Sequence, residues 1–184
     1  DAHSSWIAMR HVDGGHLADW SRARGWRDVV RAVARVARAV DHAHESGVVH
    51  RDIKPVNVLV SALDQPVLVD FGVASIDRDG TAPITETGAA VGTPAYMAPE
   101  QIELDGADPR PGVDVWALGV ILYELLAGAR PFDAPTRTGV LRAIAQDEPE
   151  RLRARCPEAP RDLEVIVETL LAKDPAERYG SAAA

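Results

Sequence analysis

Residues 113–127 form an almost uninterrupted apolar segment, and this segment constrains the fold more than any other feature of the chain. A helix that is apolar on nearly every side has to be buried among other elements. The segment falls short of the roughly 18 apolar residues that a membrane span needs. We therefore predict a central helix with the rest of the 184 residues packed around it. Its large apolar residues are Trp116, Leu118, Val120, Ile121, Leu122 and Leu125.

Amphipathic helices are predicted on both sides of this segment. Residues 26–46 carry apolar side chains at helical spacing, with arginines on the opposite face, and Gly47 marks the end of the helix. Residues 138–145 and 161–172 predict two further helices. The apolar face of the first helix carries Val29, Val33, Val36, Val40 and His44, and the polar face carries Arg27, Arg31, Arg35 and Arg38.

Strands are predicted only as short pieces. An apolar strand is indicated at residues 6–9, and the turn-rich residues 11–15 follow it. A turn at residues 63–65 separates two of the remaining β-prone runs. Those runs are residues 48–49, 56–60 and 66–69. The predicted fold class is therefore α+β, mainly helical, with a small β element near residues 48–69.

Charge and cysteine content exclude some classes of function. The net charge of −8, from 20 basic and 28 acidic residues, argues against a nucleic-acid-binding surface. The lone Cys156 has no partner for an internal disulfide, which fits a reducing compartment. We expect a cytoplasmic chain without a membrane segment of its own, although an anchor outside these residues stays open. His42 and His44 lie two apart on a helix, a spacing that points them in different directions and disfavours a metal site.

Three motifs follow one another in a fixed order. They are HRDIKPVN at residues 50–57, DFG at residues 70–72 and GTPAYMAPE at residues 92–100. In this order and spacing they resemble the serine/threonine protein kinases, and the third motif most closely resembles the bacterial members. The resemblance covers the larger, C-terminal lobe of the kinase fold, and most of the N-terminal lobe has no counterpart in the chain.

The resemblance implies a division of the chain and an activity. Residues 1–15 correspond to a remnant of the N-terminal lobe strand and hinge, and residues 16–184 to the C-terminal lobe. Within that lobe, residues 48–60 are the catalytic loop and residues 70–100 the activation segment. The implied activity is ATP-dependent phosphorylation of serine or threonine in protein substrates.

The same resemblance assigns catalytic and cofactor residues. Asp52 is the expected base for the substrate hydroxyl, and Lys54 the expected contact to the transferred phosphate. Asn57 and Asp70 offer the oxygen ligands that Mg²⁺ prefers, and Mn²⁺ is an alternative. The residues expected at the adenine of ATP are Met9, His11, Val12 and Leu59.

Further residues match structural and regulatory positions of the family. Arg51 is expected to pair with a phosphate on the activation segment, on Thr85 or Thr87, with Thr81 as another acceptor. Thr93 is expected to line the substrate site. The residues with expected structural roles are His50, Phe71, Glu100, Asp114 and Arg178.

Two hypotheses about function remain open from the sequence. No Gly-x-Gly-x-x-Gly loop occurs in these residues, so we expect residues 1–184 alone to be inactive. The intact motifs favour an enzyme that phosphorylates protein substrates. The alternative is a non-catalytic, kinase-like interaction module that binds a peptide or another kinase chain.

Overall fold

The computed structural model describes residues 11–71, 94–103 and 110–184. These ranges contain three strands and seven α-helices, joined by short 3₁₀ turns. The strands are β1 (Gly14–His16), β2 (Val58–Ser61) and β3 (Pro66–Leu68). The helices are α1 (Leu17–Ser21), α2 (Trp26–Glu45), α3 (Pro99–Glu103), α4 (Gly112–Ala127), α5 (Arg137–Gln146), α6 (Leu152–Arg155) and α7 (Arg161–Leu170).

Helix α4 is the centre of the molecule, as its apolar sequence predicts. Every residue from Val113 to Tyr123 is buried, and the helix contacts α2, α6 and α7. Gly119 permits the close approach of α7, because a Cβ at this position would lie only 2.6 Å from Cβ of Leu170. The prediction of a buried central helix is confirmed.

Helix α2 packs its apolar face against α4 and leaves its arginines exposed. The chain leaves α2 through a Schellman arrangement, in which Gly47 adopts a φ of 75°. The N–H of Gly47 donates to the carbonyl of His44, and the N–H of Val48 to that of Ala43, both at 2.9 Å. The predicted helix and its glycine stop are confirmed.

The sheet is antiparallel with the order β1-β2-β3. Here two sequence predictions were wrong. Residues 11–15 are not all turn, because β1 begins at Gly14 and pairs with β2. Gly14 can lie against the Val60 carbonyl because it has no side chain. Residues 48–49 form no strand, because the N–H of Val48 is bound in the helix stop described above. The strand predicted at residues 6–9 lies outside the described residues.

The remaining elements agree with the predicted fold class. Helix α5 is one residue longer at each end than predicted, and α7 ends two residues earlier. The fold is α+β and mainly helical, with the small sheet beside the 3₁₀ turn Pro55–Asn57. Cys156 is buried, and burial raises the pKa of its thiol. In the described ranges, every helix is too short or too polar to cross a membrane.

Candidate active site

A fully buried aspartate in the central helix fixes the loop that leads to Asp52. Asp114 lies in the first turn of α4 and has 0% exposure. Its Oδ2 accepts the backbone N–H of His50, and its Oδ1 accepts the backbone N–H of Arg51, both at 2.8 Å. Arg51 has a φ of 67°, a left-handed conformation that is unfavourable for a residue with a side chain. The two hydrogen bonds stabilise this conformation and so aim the next residue, Asp52.

A third donor to the same carboxylate was not predicted from the sequence. Nε2 of His44 lies 2.8 Å from Oδ2 of Asp114, and the His44 side chain is 8% exposed. The available signal was the position of His44 on the apolar face of α2, one turn after Val40. A buried polar side chain on such a face needs a partner, but the sequence does not say which residue 70 positions away supplies it.

Asp52, Lys54 and Asn57 form one hydrogen-bonded group. Nζ of Lys54 donates to both carboxylate oxygens of Asp52, at 3.0 and 2.8 Å. Nδ2 of Asn57 donates to the backbone oxygen of Asp52 at 2.8 Å and to Oδ2 at 3.1 Å. The Asp52 side chain is 49% exposed, so its carboxylate is oriented from within the protein and still open to a substrate.

His50 connects this group to the chain that follows β3. The N–H of Asp52 donates to Nδ1 of His50 at 3.3 Å, which leaves Nε2 as the protonated nitrogen. Nε2 lies 3.0 Å from the carbonyl oxygen of Val69. The centroid of the imidazole ring lies 4.8 Å from that of Phe71. His50 thus ties the Asp52 loop to the segment that carries Asp70.

Asn57 and Asp70 are brought close by strand pairing. The N–H of Val69 donates to the Asn57 carbonyl at 2.9 Å, and Asp70 follows with a φ of 63°. Because Nδ2 of Asn57 is a donor to Asp52, its Oδ1 is left as an acceptor, and no described residue pairs with the Asp70 carboxylate. These two oxygen groups suit a hard divalent cation. In the described part of the chain no three His, Cys, Asp or Glu side chains cluster as a metal site, so phosphate and water would have to supply the other ligands.

A buried ion pair joins α3 to Arg178, which follows the 3₁₀ turn Pro175–Glu177. Nη1 and Nη2 of Arg178 donate to the two carboxylate oxygens of Glu100 at 2.6 and 2.8 Å. The other Arg178 hydrogens are donated to backbone oxygens of Gly112, Ala172 and Lys173. With every donor of the guanidinium used, the pair anchors α3 against the start of α4.

A cavity of about 100 Å³ is lined by Asp52 and by Arg51, which carries a buried nitrogen without a partner. Nε of Arg51 is buried, and no hydrogen-bond partner for it exists among the described residues. Pro94, Tyr96 and Met97 form another part of the cavity wall. A buried cationic donor without a partner suits an anionic group.

The remaining candidate residues lie either outside the described ranges or away from the group of Asp52, Lys54 and Asn57. Met9, Thr85, Thr87 and Thr93 lie outside the described residues. His11 is exposed and Val12 half-buried, and they precede Asp13, whose carbonyl accepts the N–H of Ala62 at 2.9 Å. Leu59 is half-buried on β2, opposite His16 and Val67. Residues 11–13 therefore run beside the end of β2, the strand that carries Leu59.

Comparisons with known proteins identify the same family. Residues 1–184 match the protein kinase domain family. The chain is 36% identical over 181 residues to the serine/threonine-protein kinase PknB of Mycobacterium tuberculosis, covering 97% of this chain and 29% of the relative. It is 38% identical over 185 residues to PknJ of Mycobacterium bovis, covering 96% of this chain and 31% of the relative. A probable serine/threonine-protein kinase of Corynebacterium efficiens is 36% identical over 97% of this chain. The chain thus spans under a third of the length of these relatives.

Proposed function

Because this chain belongs to the protein kinase domain family and is a serine/threonine protein kinase by that membership, we propose that it carries the machinery for ATP-dependent phosphorylation of serine or threonine in proteins. The observation that carries the proposal is the hydrogen-bonded group of Asp52, Lys54 and Asn57. A group of this kind positions a hydroxyl and balances phosphate charge, which are the main demands of phosphoryl transfer.

Asp52 acts on the substrate hydroxyl in this proposal. Its half-exposed carboxylate accepts the hydroxyl hydrogen bond and takes the proton as the hydroxyl oxygen bonds to the terminal phosphorus of ATP, while the bond from that phosphorus to the bridging oxygen breaks and ADP leaves. Lys54 lies 2.8 Å from that carboxylate and is 28% exposed, so its ammonium group can turn towards the transferred phosphate. The positive charge of Lys54 then offsets the charge that develops on the phosphate oxygens.

Asn57 and Asp70 would hold the divalent cation. When bound, Mg²⁺ or Mn²⁺ neutralises the charge of the nucleotide phosphates and fixes their orientation. The hydrogen bonds from Asn57 to Asp52 keep the amide oxygen turned away from the base. We propose that the adenine lies near Met9, His11, Val12 and Leu59. Of these, His11 and Val12 directly precede Asp13, whose carbonyl is hydrogen-bonded to Ala62 just after β2.

Activation by phosphorylation is part of the proposal. The unpartnered Nε of Arg51 would pair with a phosphate on Thr85 or Thr87, and Thr93 would contact the substrate segment. We propose protein substrates, and a second kinase chain is one candidate for the activating partner. The division of the chain at residues 15 and 16 stays a prediction.

A transfer assay tests the function. The full-length protein that contains this chain is incubated with radiolabelled ATP, Mg²⁺ and a generic basic protein substrate, and the labelled amino acid is identified after acid hydrolysis. Label on phosphoserine or phosphothreonine is the expected result. Absence of transfer, together with retained peptide binding, would contradict the proposal and favour the non-catalytic interaction module.

A further inference from the structure

Positive charge is concentrated on one helix of an acidic chain. Residues 22–38 hold six arginines and one aspartate, a net charge of +5 in a chain whose net charge is −8. Four of these arginines follow one another three or four positions apart along α2, so they share one face of the helix over about 16 Å. Together with the arginine just before the helix they form a row that we call the basic stripe. Its members are Arg24, Arg27, Arg31, Arg35 and Arg38.

The basic stripe is exposed and only partly neutralised. All five of its side chains belong to exposed residues. Two of them form ion pairs, with Asp28 at 3.4 Å and with Asp64 at 3.1 Å. Counted over the described residues, the other three have no carboxylate partner, so the stripe keeps a net charge of +3 against these two aspartates. Exposed pairs of this kind are weak, and their arginines can turn to another anion.

The β2–β3 turn, residues 62–65, lies against the basic stripe. Nε1 of Trp20 and Nη2 of Arg24 donate to Oδ1 of Asp64 at 2.7 and 3.1 Å. Nη1 of Arg35 donates to the backbone oxygen of Asp64 at 3.1 Å. These bonds fix the turn beside the arginines. Leu63, the neighbour of Asp64, is 81% exposed and is the most exposed large hydrophobic side chain among the residues that the structure describes.

The shape of this surface decides between the anions that could bind it. The basic stripe lies on the outer face of α2, whose opposite face packs against α4, and none of its arginines lines the cavity beside Asp52. An acidic peptide would need a groove to hold it, and a nucleic acid would use the charge but gain nothing from Leu63. A bilayer with anionic headgroups uses both features, because arginines bind the phosphates while a leucine enters the acyl boundary.

We infer that the basic stripe and Leu63 form a docking surface for a membrane that contains anionic lipids. The negative charge elsewhere on the chain opposes this contact little, because charges more than about 8 Å from the bilayer are screened at physiological salt. The inference goes beyond phosphoryl transfer and does not depend on it.

The position of the turn keeps the candidate active site clear of this surface. Asn57 directly precedes β2, and Asp70 follows β3 by two positions. The turn with Leu63 lies at the other end of the same two strands, about 13 Å away along β2. A membrane at Leu63 therefore leaves the two proposed cation ligands accessible.

Footprinting of Leu63 tests the inference. The full-length protein that contains this chain is mixed with vesicles of phosphatidylcholine alone, or of phosphatidylcholine with phosphatidylserine. Hydroxyl-radical oxidation followed by mass spectrometry then measures how accessible the Leu63 side chain is. We expect severalfold slower oxidation of Leu63 on the anionic vesicles, no change on the neutral ones, and loss of the protection at about 0.5 M salt. Val165 on α7 is 50% exposed and should be oxidised at the same rate throughout.

A charge-neutral variant of the stripe should lose the protection. The variant combines Arg27→Gln, Arg31→Gln and Arg38→Gln, which leave the bonds to Asp64 intact and should weaken binding about a hundredfold, or about fivefold for each cation. A matched variant changes three exposed arginines elsewhere and should keep the protection, and circular dichroism should show that both variants are folded. Its substitutions are Arg142→Gln, Arg151→Gln and Arg161→Gln.

Three results would overturn the inference. The first is unchanged oxidation of Leu63 on anionic vesicles, and the second is protection that survives in the stripe variant. The third is equal protection of Leu63 by free polyglutamate or heparin, which would identify a general polyanion site instead of a membrane surface. Protection that requires both phosphatidylserine and the stripe arginines would support it.

Discussion

The buried carboxylate of Asp114 accepts the backbone N–H of Arg51 at 2.8 Å and holds Arg51 in a left-handed conformation with a φ of 67°. The same carboxylate binds the N–H of His50 and the ring of His44. One side chain of the central helix thus determines the shape of the loop that precedes the proposed base.

Replacing Asp114 with asparagine should weaken both the fold and the site. The new amide group would face an N–H donor, and an unsatisfied buried donor costs about 1–3 kcal/mol. We expect Asp114→Asn to lower the free energy of unfolding by that amount and to reduce kcat more than nucleotide affinity. Chemical denaturation and transfer kinetics measure the two effects. Asp28→Asn is the control, because Asp28 forms an exposed pair with Arg31 at the surface. Equal effects of both substitutions would contradict the account.

Removing only one partner of the Glu100–Arg178 pair should strongly destabilise the folded protein. The Arg178 side chain is 0% exposed, and Glu100 is 7% exposed. Removing one member of a buried pair leaves an uncompensated charge and costs about 3–5 kcal/mol. We expect Arg178→Met to show this loss in urea unfolding, and Glu100→Leu combined with Arg178→Met to recover part of it. A double variant less stable than Arg178→Met would show that the pairing is not the cause.

Lys173 should titrate far below an ordinary lysine. Its Nζ donates to the Ile144 carbonyl at 2.7 Å and lies 3.8 Å from the ring centroid of Phe132. Burial lowers the pKa of Lys173 to about 8, against the opposing effect of Glu148 and Asp147, while the charge of Arg178 lowers it further. NMR of selectively labelled lysine should show a midpoint near this value, and Lys54 is the other lysine in the chain for comparison.

The same shift predicts a pH dependence of stability. Between pH 8 and the usual lysine pKa of about 10.4, the unfolded chain holds a proton on Lys173 that the folded chain has lost. The contribution of this group to the free energy of unfolding therefore rises with pH across that window and is lost as the pH falls through 8. The difference between wild type and Lys173→Met should change with pH in this window, and a constant difference would contradict the lowered pKa.

Much of the architecture could be predicted from local patterns. The apolar run of α4 and the periodicity of α2 indicate helices because burial repeats at helical spacing. The β1 strand was missed because three residues carry too little pattern to distinguish a strand from a turn. Residues 48–49 were assigned to a strand because their β-branched side chains mimic one, whereas helix-end hydrogen bonds determine their conformation.

For the candidate site, the sequence predicts the chemistry of single residues but not which distant residues meet. The residue types at 52, 54, 57 and 70 indicate their chemistry through the motifs that contain them. His44 with Asp114, and Tyr96 with Glu124, join residues 70 and 28 positions apart, so only the folded chain shows that they meet. Spacing along one sequence carries no information about such pairs.

Arg51 should make activity depend on a phosphate. We expect mass spectrometry of the active full-length protein to find phosphate on Thr85 or Thr87, because the buried Nε of Arg51 has no partner among the described residues. The variant with both Thr85→Ala and Thr87→Ala should lose most of its activity. Arg51→Ala should be equally impaired and gain nothing from phosphorylation. Full activity of the double alanine variant would remove Arg51 from this role.

The most direct test of the account is the transfer rate of Asp52→Asn beside its affinity for ATP. The full-length wild type and variant are compared for phosphate transfer to a protein substrate and for Mg²⁺–ATP binding by calorimetry. The account predicts a loss of about 10²- to 10⁴-fold in kcat with nearly unchanged ATP affinity, since the side chain handles the substrate proton and not the nucleotide. A variant that transfers phosphate at the wild-type rate would contradict the assignment of Asp52 as the base.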